Sequence, residues 1–327
     1  MRFDERHWYH ASLTWATALL LPASWLFGWV TAIRRWCYQS KLFSSHRFQV
    51  PVIIVGNLTV GGTGKTPCVI ALANYFLSQG FQPGIVSRGY GGSKKTTPQL
   101  VTLSSSASEV GDEAVLLARH SQCPVVVGAD RVAAVKALLR RNPHCNMVIS
   151  DDGLQHYQLA RDVEIVVVDG DRQFGNGCLL PAGPLREPLS RLQSINFVIV
   201  NGGVMDNAFS MILQSQRWVS LNDPQTTLPT DKFVGTRVHA VAGIGHPARF
   251  FNLLKTFGYQ IIEHAFPDHH PYLASDLNFP DELPIVMTSK DAVKCETFAN
   301  ERMWYLDIKA VLEPELLSKL TDQVQGA

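Results

Sequence analysis

The stretch Gly61-Gly62-Thr63-Gly64-Lys65-Thr66 constrains this chain most, because of what stands on either side of it. Val52-Ile53-Ile54-Val55 is a β-branched run that stops at Gly56-Asn57 and reads as a buried strand. Residues 67–77 read as a helix, with Pro67 in the first turn and Gly80 just past the end. Strand, glycine loop and helix in this order make an anion cradle. Glycines leave no Cβ in the way of inward-pointing N–H groups, and the helix N-terminus adds partial positive charge. The segment Thr59-Val60-Gly61-Gly62-Thr63-Gly64-Lys65-Thr66 is therefore expected to wrap the phosphates of a nucleotide. Lys65 would neutralise the β- and γ-phosphates and the Thr66 hydroxyl would sit on Mg²⁺. Thr59 stands where the generic phosphate loop has its first glycine.

Phosphoryl transfer also requires a carboxylate at the metal and a group that orients or deprotonates the acceptor hydroxyl. Met147-Val148-Ile149-Ser150-Asp151-Asp152-Gly153 is an apolar run ending in paired acids, where a strand tip would reach Mg²⁺ directly or through water. Ile165-Val166-Val167-Val168-Asp169-Gly170 has the same form. The pattern leaves the choice open, since either acid could cap a turn after a strand. Gly111-Asp112-Glu113 begins a helix-like segment, where acids ordinarily cap orphan N–H groups and favour the dipole. Asp268-His269-His270 sets carboxylate beside imidazole, as an acid–base pair, a metal clip or plain polar surface. Ser87-Arg88-Gly89-Tyr90-Gly91-Gly92 follows a strand-like run at the end where open α/β sheets bind ligands, so Arg88 could grip a phosphate or belong to a mobile turn. Residues 180–189 hold too many prolines for a helix and shape a loop carrying Arg186 and Glu187, ahead of a helix-like 189–195.

Lys+Arg 29 against Asp+Glu 28 leaves a net charge of +1, so no basic field exists to hold a nucleic-acid backbone, and nucleic acid is not an expected partner. Charged residues are 17%, against about 25% in an average soluble domain, which turns attention to a membrane. Residues 10–33 contain no charged side chain and exceed the roughly 20 residues that cross a bilayer core. Trp8, Tyr9, Trp15, Trp36 and Tyr38 bracket this run, and Arg34, Arg35, Lys41 and Arg47 follow it as cytoplasmic positive charge. The length of the run, with Asp4 and Glu5 before it, argues against a cleaved signal peptide. Ser12, Thr14, Thr17 and Ser24 interrupt it, so a membrane-associated helix is expected that either spans the bilayer or lies on it, kinked at Pro22. The six cysteines show no CxxC pair and read as packing residues of a reducing compartment.

From 51 to about 203, strands and helices alternate, with Arg131–Arg141 helix-like and Phe197-Val198-Ile199-Val200 strand-like. That rhythm predicts an α/β fold with a P-loop NTPase-like, doubly wound, mostly parallel sheet. Residues 220–236 read as a linker, followed by a new β–α pattern over 238–257. The expected organisation is an apolar membrane-associated helix over 1–40, a core domain over 41–220, and a smaller α/β domain over 221–327 that closes over the site.

Taken in order, Val55-Gly56-Asn57-Leu58-Thr59-Val60-Gly61-Gly62-Thr63-Gly64-Lys65-Thr66-Pro67, Ser87-Arg88-Gly89-Tyr90-Gly91, Gly111-Asp112-Glu113, Asp151-Asp152-Gly153-Leu154-Gln155-His156, Leu180-Pro181-Ala182-Gly183-Pro184-Leu185-Arg186-Glu187 and Asp268-His269-His270 closely resemble the tetraacyldisaccharide 4'-kinase family of lipid A biosynthesis. Thr59 is that family's own form of the loop, and the apolar N-terminus is similar to its membrane anchor. The resemblance implies transfer of the ATP γ-phosphate to the 4'-hydroxyl of an acylated glucosamine disaccharide 1-phosphate, with ATP and Mg²⁺ as cofactors. It places the reaction at the cytoplasmic face of a bacterial inner membrane, with membrane lipid as a partner and no obligate protein partner. It implies that Asp112 is the catalytic aspartate and His269 its partner, a dyad acting as base with Asp112 polarising the imidazole or taking the proton itself. Lys65 would act beside them. Thr66, Asp151 and Asp152 would lie on the metal side with Glu113 as a further ligand, and Arg186 and Glu187 would line the site. One departure is Ser289, where the family is expected to carry an acid, so the roles of Lys290 and Asp291 stay open. Of two other readings, a deviant phosphate-loop membrane ATPase would need its signature lysine at Val60. A GTPase-type switch would need a base-reading motif that the adjacent Lys290 and Asp291 cannot imitate.

Overall fold

A computed structural model describes residues 5–10, 13–93 and 97–326. Residues 1–4 of the expected N-terminal segment, Asp4 included, and Ala11 and Ser12 of the apolar run lie outside the described residues. A 3₁₀ turn at Glu5–Tyr9 is followed by α1 (Trp15–Leu19) and α2 (Leu21–Gln39). Pro22 sits in the first turn of α2, where its missing N–H is not needed, so it starts a helix instead of kinking one. Among the described residues no helix is long and apolar enough to cross a membrane. One side of α2 is fastened to the body: Ser24 donates to the Leu179 carbonyl at 2.7 Å, and a Cβ on Gly28 would meet Leu179 Cδ1 at 2.8 Å. The other side, with Trp25, Leu26, Trp29, Val30, Ile33 and Trp36, is exposed and continues the exposed Trp15 and Leu19 of α1. Their spacing of three, four and seven makes one apolar stripe.

The body then alternates strand and helix: β1 (Val52–Gly56), α3 (Lys65–Ser78), β2 (Pro83–Ser87), β3 (Gln99–Val101), α4 (Ala107–Val110), α5 (Asp112–His120), β4 (Val125–Val127), α6 (Arg131–Arg141), β5 (Met147–Asp151), β6 (Val163–Asp169) and β7 (Phe197–Asn201). It continues with β8 (Phe209–Ser220), β9 (Thr227–Leu228), β10 (Arg237–Ala242), α7 (Pro247–Thr256), β11 (Gln260–Ala265), β12 (Ile285–Thr288), α8 (Ser289–Cys295), β13 (Met303–Leu312) and α9 (Pro314–Gln325). The described strands form one sheet in the order β11-β10-β12-β13-β8-β7-β6-β1-β5-β2-β4-β3, with β9 on β8. β1 is central, buried along its whole length, and parallel to β5 and β6, which explains its unbroken β-branched run. Alternate residues feed opposite faces. Ile53, Ile85 and Ile149 meet Val69, Leu72 and Phe76 of α3 on one side, while Ile54, Val86 and Val148 meet Val135 and Leu138 of α6 on the other.

Four features lie outside the sequence expectations. The long β8 pairs antiparallel with β13, from Trp304 opposite Ser220 to Leu312 opposite Met211, with a register shift at Asp307/Ile308. This ribbon carries the sheet from the 41–220 segment into the 221–327 segment, so both share it. Residues 220–236 hold the short β9, and the helix-like 189–195 is a 3₁₀ helix at Leu189–Ser194. α9 returns to the α3 side, where Leu316, Leu320 and Val324 enter the same core and Thr321 bonds the Tyr75 hydroxyl at 2.9 Å.

Candidate active site

The glycine loop over 59–66, the expected phosphate loop, leaves the C-terminal end of β1, on the rim where strand order divides toward β5 on one side and β6 on the other. Gly61 and Gly64 adopt φ of +98° and +96°, a region that side chains resist, and a Cβ on Gly64 would also strike the Asn201 amide. Thr59 is buried and bridged to Leu185. Val60 donates to the Pro184 carbonyl at 2.8 Å and Arg186 to the Leu58 carbonyl at 2.6 Å. The proline-rich loop is thus stitched to the phosphate loop as a short antiparallel pair, and a backbone paired in this way has no need of glycine at 59. From beneath, Asn57 donates to the Gly61 carbonyl at 3.2 Å and Asn201 of β7 donates to the Thr63 carbonyl at 3.0 Å. Asn201 also receives Arg249 of α7 at 3.2 Å, while Gly245, its carbonyl held by Arg172 at 2.9 Å, lies against Gly62.

Lys65 and Thr66 begin α3, and the Lys65 ammonium stands 3.5 Å from Asp152. Asp152 also takes Arg186 at 3.2 Å. Burial opposes its ionisation, but the charges of Lys65 and Arg186 outweigh it and hold the carboxyl at about 2. Asp151 is the reverse case. It is fully buried, neither carboxylate oxygen has a hydrogen-bond partner, and burial with the nearby charge of Glu113 pushes it up to about 7. Buried acceptors left empty cost free energy unless a cation or donor completes them. An all-oxygen set of Asp151, Asp152 and Thr66 therefore fits a hard divalent metal. Asp169, the competing strand tip, is already engaged: it accepts the N–H groups of Asp171 and Arg172, both at 3.0 Å, and faces Arg249 at 3.5 Å. Asp169, Asp171 and His246 do bring ligand atoms within 4.8 Å of one another, the one such group among the described residues, but Arg249 occupies its buried member.

Asp112 begins α5 after Gly111, and its Oδ1 accepts the Glu113 N–H at 2.8 Å, as an acid at a helix start should. Its Oδ2 meets His269 Nδ1 at 3.0 Å, across 157 residues of sequence. Burial alone would raise Asp112, but the His269 hydrogen bond and the Lys290 charge bring it below the usual carboxylate range. The Asp112 side chain is 3% exposed and that of His269 20%, so the imidazole is the member that faces the open site. His270 turns away to Asp276 at 3.0 Å, so the two adjacent histidines have separate duties. Glu113 pairs with Lys290 at 3.1 Å. Glu187 is buried, accepts hydrogen bonds from Gln155 at 2.9 Å and Tyr157 at 2.6 Å, and forms an ion pair with Arg191 at 3.2 Å, so it anchors the loop that carries Arg186. Arg88 is exposed at the rim. After burial, the charges of Arg131 and Arg88 are what hold His156 down at about 4.

Sequence reasoning did not single out Arg131, Asn201 or Arg249, and left Lys290 open. Asn201 had a signal, an asparagine ending a strand before two glycines. Arg131 had none, since a charged residue opening a helix ordinarily faces water, yet here it is 2% exposed and reaches the Asp151 backbone carbonyl at 3.4 Å.

A family model described as Tetraacyldisaccharide-1-P 4'-kinase matches residues 16–325. The chain belongs to this family. Tetraacyldisaccharide 4'-kinases of Nitrosococcus oceani and Methylobacillus flagellatus are each 48% identical to it, over 323 and 320 residues, which is 98% of this chain in both cases and 94% and 95% of theirs. A crystal structure of LpxK from Aquifex aeolicus, an "apo" form in complex with ATP, matches with a TM-score of 0.79 at 30% identity, covering 94% of this chain and 99% of that one. The mixed α/β architecture with its large sheet is therefore shared with LpxK. In a tetraacyldisaccharide 4'-kinase, the clustering of Lys65, Asp151, Asp152, Asp112 and His269 acquires a specific chemical meaning.

Proposed function

We propose that the chain transfers the γ-phosphate of ATP to the 4'-hydroxyl of a tetraacyldisaccharide 1-phosphate, using a P-loop NTPase-like nucleotide site and a His269–Asp112 dyad as base. The 4'-kinase activity is that of its family, and the observation that carries the mechanism is the 3.0 Å contact joining His269 to Asp112. The ATP in the Aquifex aeolicus LpxK complex supports the nucleotide. Residues 59–66 wrap the β- and γ-phosphates, and Lys65 exchanges Asp152 for them. Asp151, Asp152 and Thr66, with Glu113, would hold Mg²⁺, which would supply positive charge against the phosphate oxygens. Asp112 keeps the Nδ1 proton of His269. Nε2 takes the hydroxyl proton as the 4'-oxygen bonds to γ-phosphorus and the bond to the departing ADP oxygen breaks. Arg88 and Arg186 supply positive charge at the rim for phosphate groups.

The acceptor cannot readily leave lipid, since about 0.8 kcal/mol is lost per exposed CH₂. The exposed stripe of Trp15, Trp25, Trp29 and Trp36 supports an α1–α2 segment lying in the membrane interface, at the cytoplasmic face of a bacterial inner membrane. His269 comes from the 221–327 segment and Asp112 from the 41–220 segment, so the base is built from both parts of the body. Neither nucleic acid nor an obligate protein partner enters this scheme. The test is label transfer from γ-labelled ATP and Mg²⁺ to the acylated disaccharide 1-phosphate in detergent micelles, with an acceptor-free control and Lys65→Ala beside it. Label in the lipid that depends on Lys65 is the expected result; ATP consumption indifferent to the lipid would overturn it.

A further inference from the structure

Lys290 stands in the second position of α8, inside a set of groups whose roles exclude one another. Its ammonium lies 3.1 Å from Glu113 Oε1, 3.1 Å from Asp268 Oδ1 and 3.4 Å from His269 Nε2. An ammonium has three N–H donors and no lone pair, so three acceptors exhaust it. His269 Nε2 must then be the unprotonated nitrogen of the ring. The proton of a neutral imidazole is left on Nδ1, where it is donated to Asp112 Oδ2 at 3.0 Å.

Lys290 is also held from behind. Asp291, fully buried, accepts the Gly243 N–H at 3.0 Å, the Thr288 hydroxyl at 2.6 Å, the Tyr272 hydroxyl at 3.2 Å and the Lys294 ammonium at 2.9 Å. This fixes the first turn of α8, so Lys290 projects from a pinned backbone and not from a solvated surface helix.

We infer that Lys290 is a positioning residue for phosphate transfer: in the resting site it sets the tautomer of His269, proton on Nδ1 and lone pair on Nε2, and it gives up this longest of its three contacts to the 4'-hydroxyl of the acceptor while Glu113 and Asp268 retain the ammonium. The inference rests on His269 being the base. Without the ammonium, the ring is free to place its proton on Nε2, facing Asp268 Oδ2 at 3.8 Å, a form that cannot accept the hydroxyl proton.

The test compares Lys290→Met, which keeps the length and removes the charge, with Lys290→Arg, which keeps a donor that never deprotonates. Lys290→Met is expected to lower kcat roughly 100- to 1,000-fold, the range of a misplaced general base, with the KM for ATP little changed. Lys290→Arg is expected to recover a part of the loss. In a His269→Ala background, Lys290→Met should cost almost nothing further, because a residue acting through another is not additive with it. Losses that multiply across the double variant would overturn the inference, as would a Lys290→Met enzyme that turns over like wild type. Nitrogen NMR of ¹⁵N-histidine-labelled protein reads the tautomer without turnover: His269 should carry its proton on Nδ1 in the wild type and shift toward Nε2 in Lys290→Met, and an unchanged spectrum would also overturn it. Full activity in His269→Ala alone would sink the dyad and not the tautomer assignment, so the two failures are distinguishable.

Discussion

Asn201→Ala tests whether the phosphate loop is held from behind by β7. The amide is 2% exposed, gives Nδ2 to the Thr63 carbonyl at 3.0 Å, and receives Arg249 on Oδ1 at 3.2 Å. Truncation leaves a buried carbonyl without its donor, at a cost of about 1–3 kcal/mol of stability. The Arg249 contact adds little to that figure, because its side chain is 32% exposed and water replaces the partner. A second effect falls on the nucleotide. Refixing one loosened loop residue costs about 1–2 kcal/mol of backbone entropy, so ATP affinity should fall roughly 5- to 30-fold at about 1.4 kcal/mol per decade. Titration calorimetry with ATP and Mg²⁺ measures the second effect and urea denaturation the first. Asn201→Asp separates tethering from space filling: its shape is nearly the same, but a carboxylate faces the Thr63 carbonyl, acceptor against acceptor, beside the bound phosphates. It should bind ATP more weakly than the alanine variant. An aspartate variant with wild-type affinity would refute the tether.

Asp112→Asn and His269→Ala should each lower kcat roughly 10²- to 10⁴-fold while calorimetry still finds ATP binding, and full turnover in either would remove the dyad. Trp25→Glu with Trp29→Glu places two charges on the exposed stripe and should abolish co-sedimentation with phospholipid vesicles while leaving Tm in detergent unchanged; undiminished sedimentation would show that another surface meets the membrane. His156 has its folded pKa depressed from 6.5 to about 4, so the unfolded chain takes up the proton first. Its contribution to stability is whole above pH 6.5 and is lost as pH falls toward 4, at most about 2 kcal/mol by pH 5. Urea midpoints at pH 7.5 and 5 should therefore converge in His156→Gln relative to wild type, and parallel curves for the two proteins would contradict the assignment.

How much of the site could be read from the chain depends on how its contacts are spaced. The strand–glycine loop–helix unit was legible because its three parts are consecutive, so period, propensity and turn chemistry all point the same way. The Asp151–Asp152 pair was visible as a strand tip, but nothing local separated it from Asp169. What separates them is tertiary: Asp169 closes a turn and meets Arg249, while Asp151 is left with two empty acceptors. Asp112 and His269 are 157 residues apart, and only a resemblance to known sequences could pair them. The β8–β13 ribbon escaped notice because Gln214, Ser215, Gln216 and Arg217 are all polar, so the half-buried and exposed positions that alternate along the middle of this twelve-residue strand do not show as apolar and polar residues.

Lys290 was obscured by a rule that usually holds. A cation in the first turn of a helix opposes the macrodipole, so its ordinary reading is a solvated side chain placed at some cost. Here the cost is offset across the fold by Glu113, Asp268 and His269, none of them its neighbour in sequence. A local rule broken at a half-buried position, with compensation supplied only by distant residues, is what a site under a functional requirement should look like, since packing alone would have been served as well by an uncharged side chain. The same reasoning applies to Arg131. Its guanidinium is 2% exposed at a helix start, burial lowers its pKa to about 10, and the neighbouring carboxylates of Asp151 and Asp152 are what keep it charged. Lys65, Arg131, Arg186 and Lys290 are the cations that let Asp151, Asp152, Asp112 and Glu113 sit together within one folded structure.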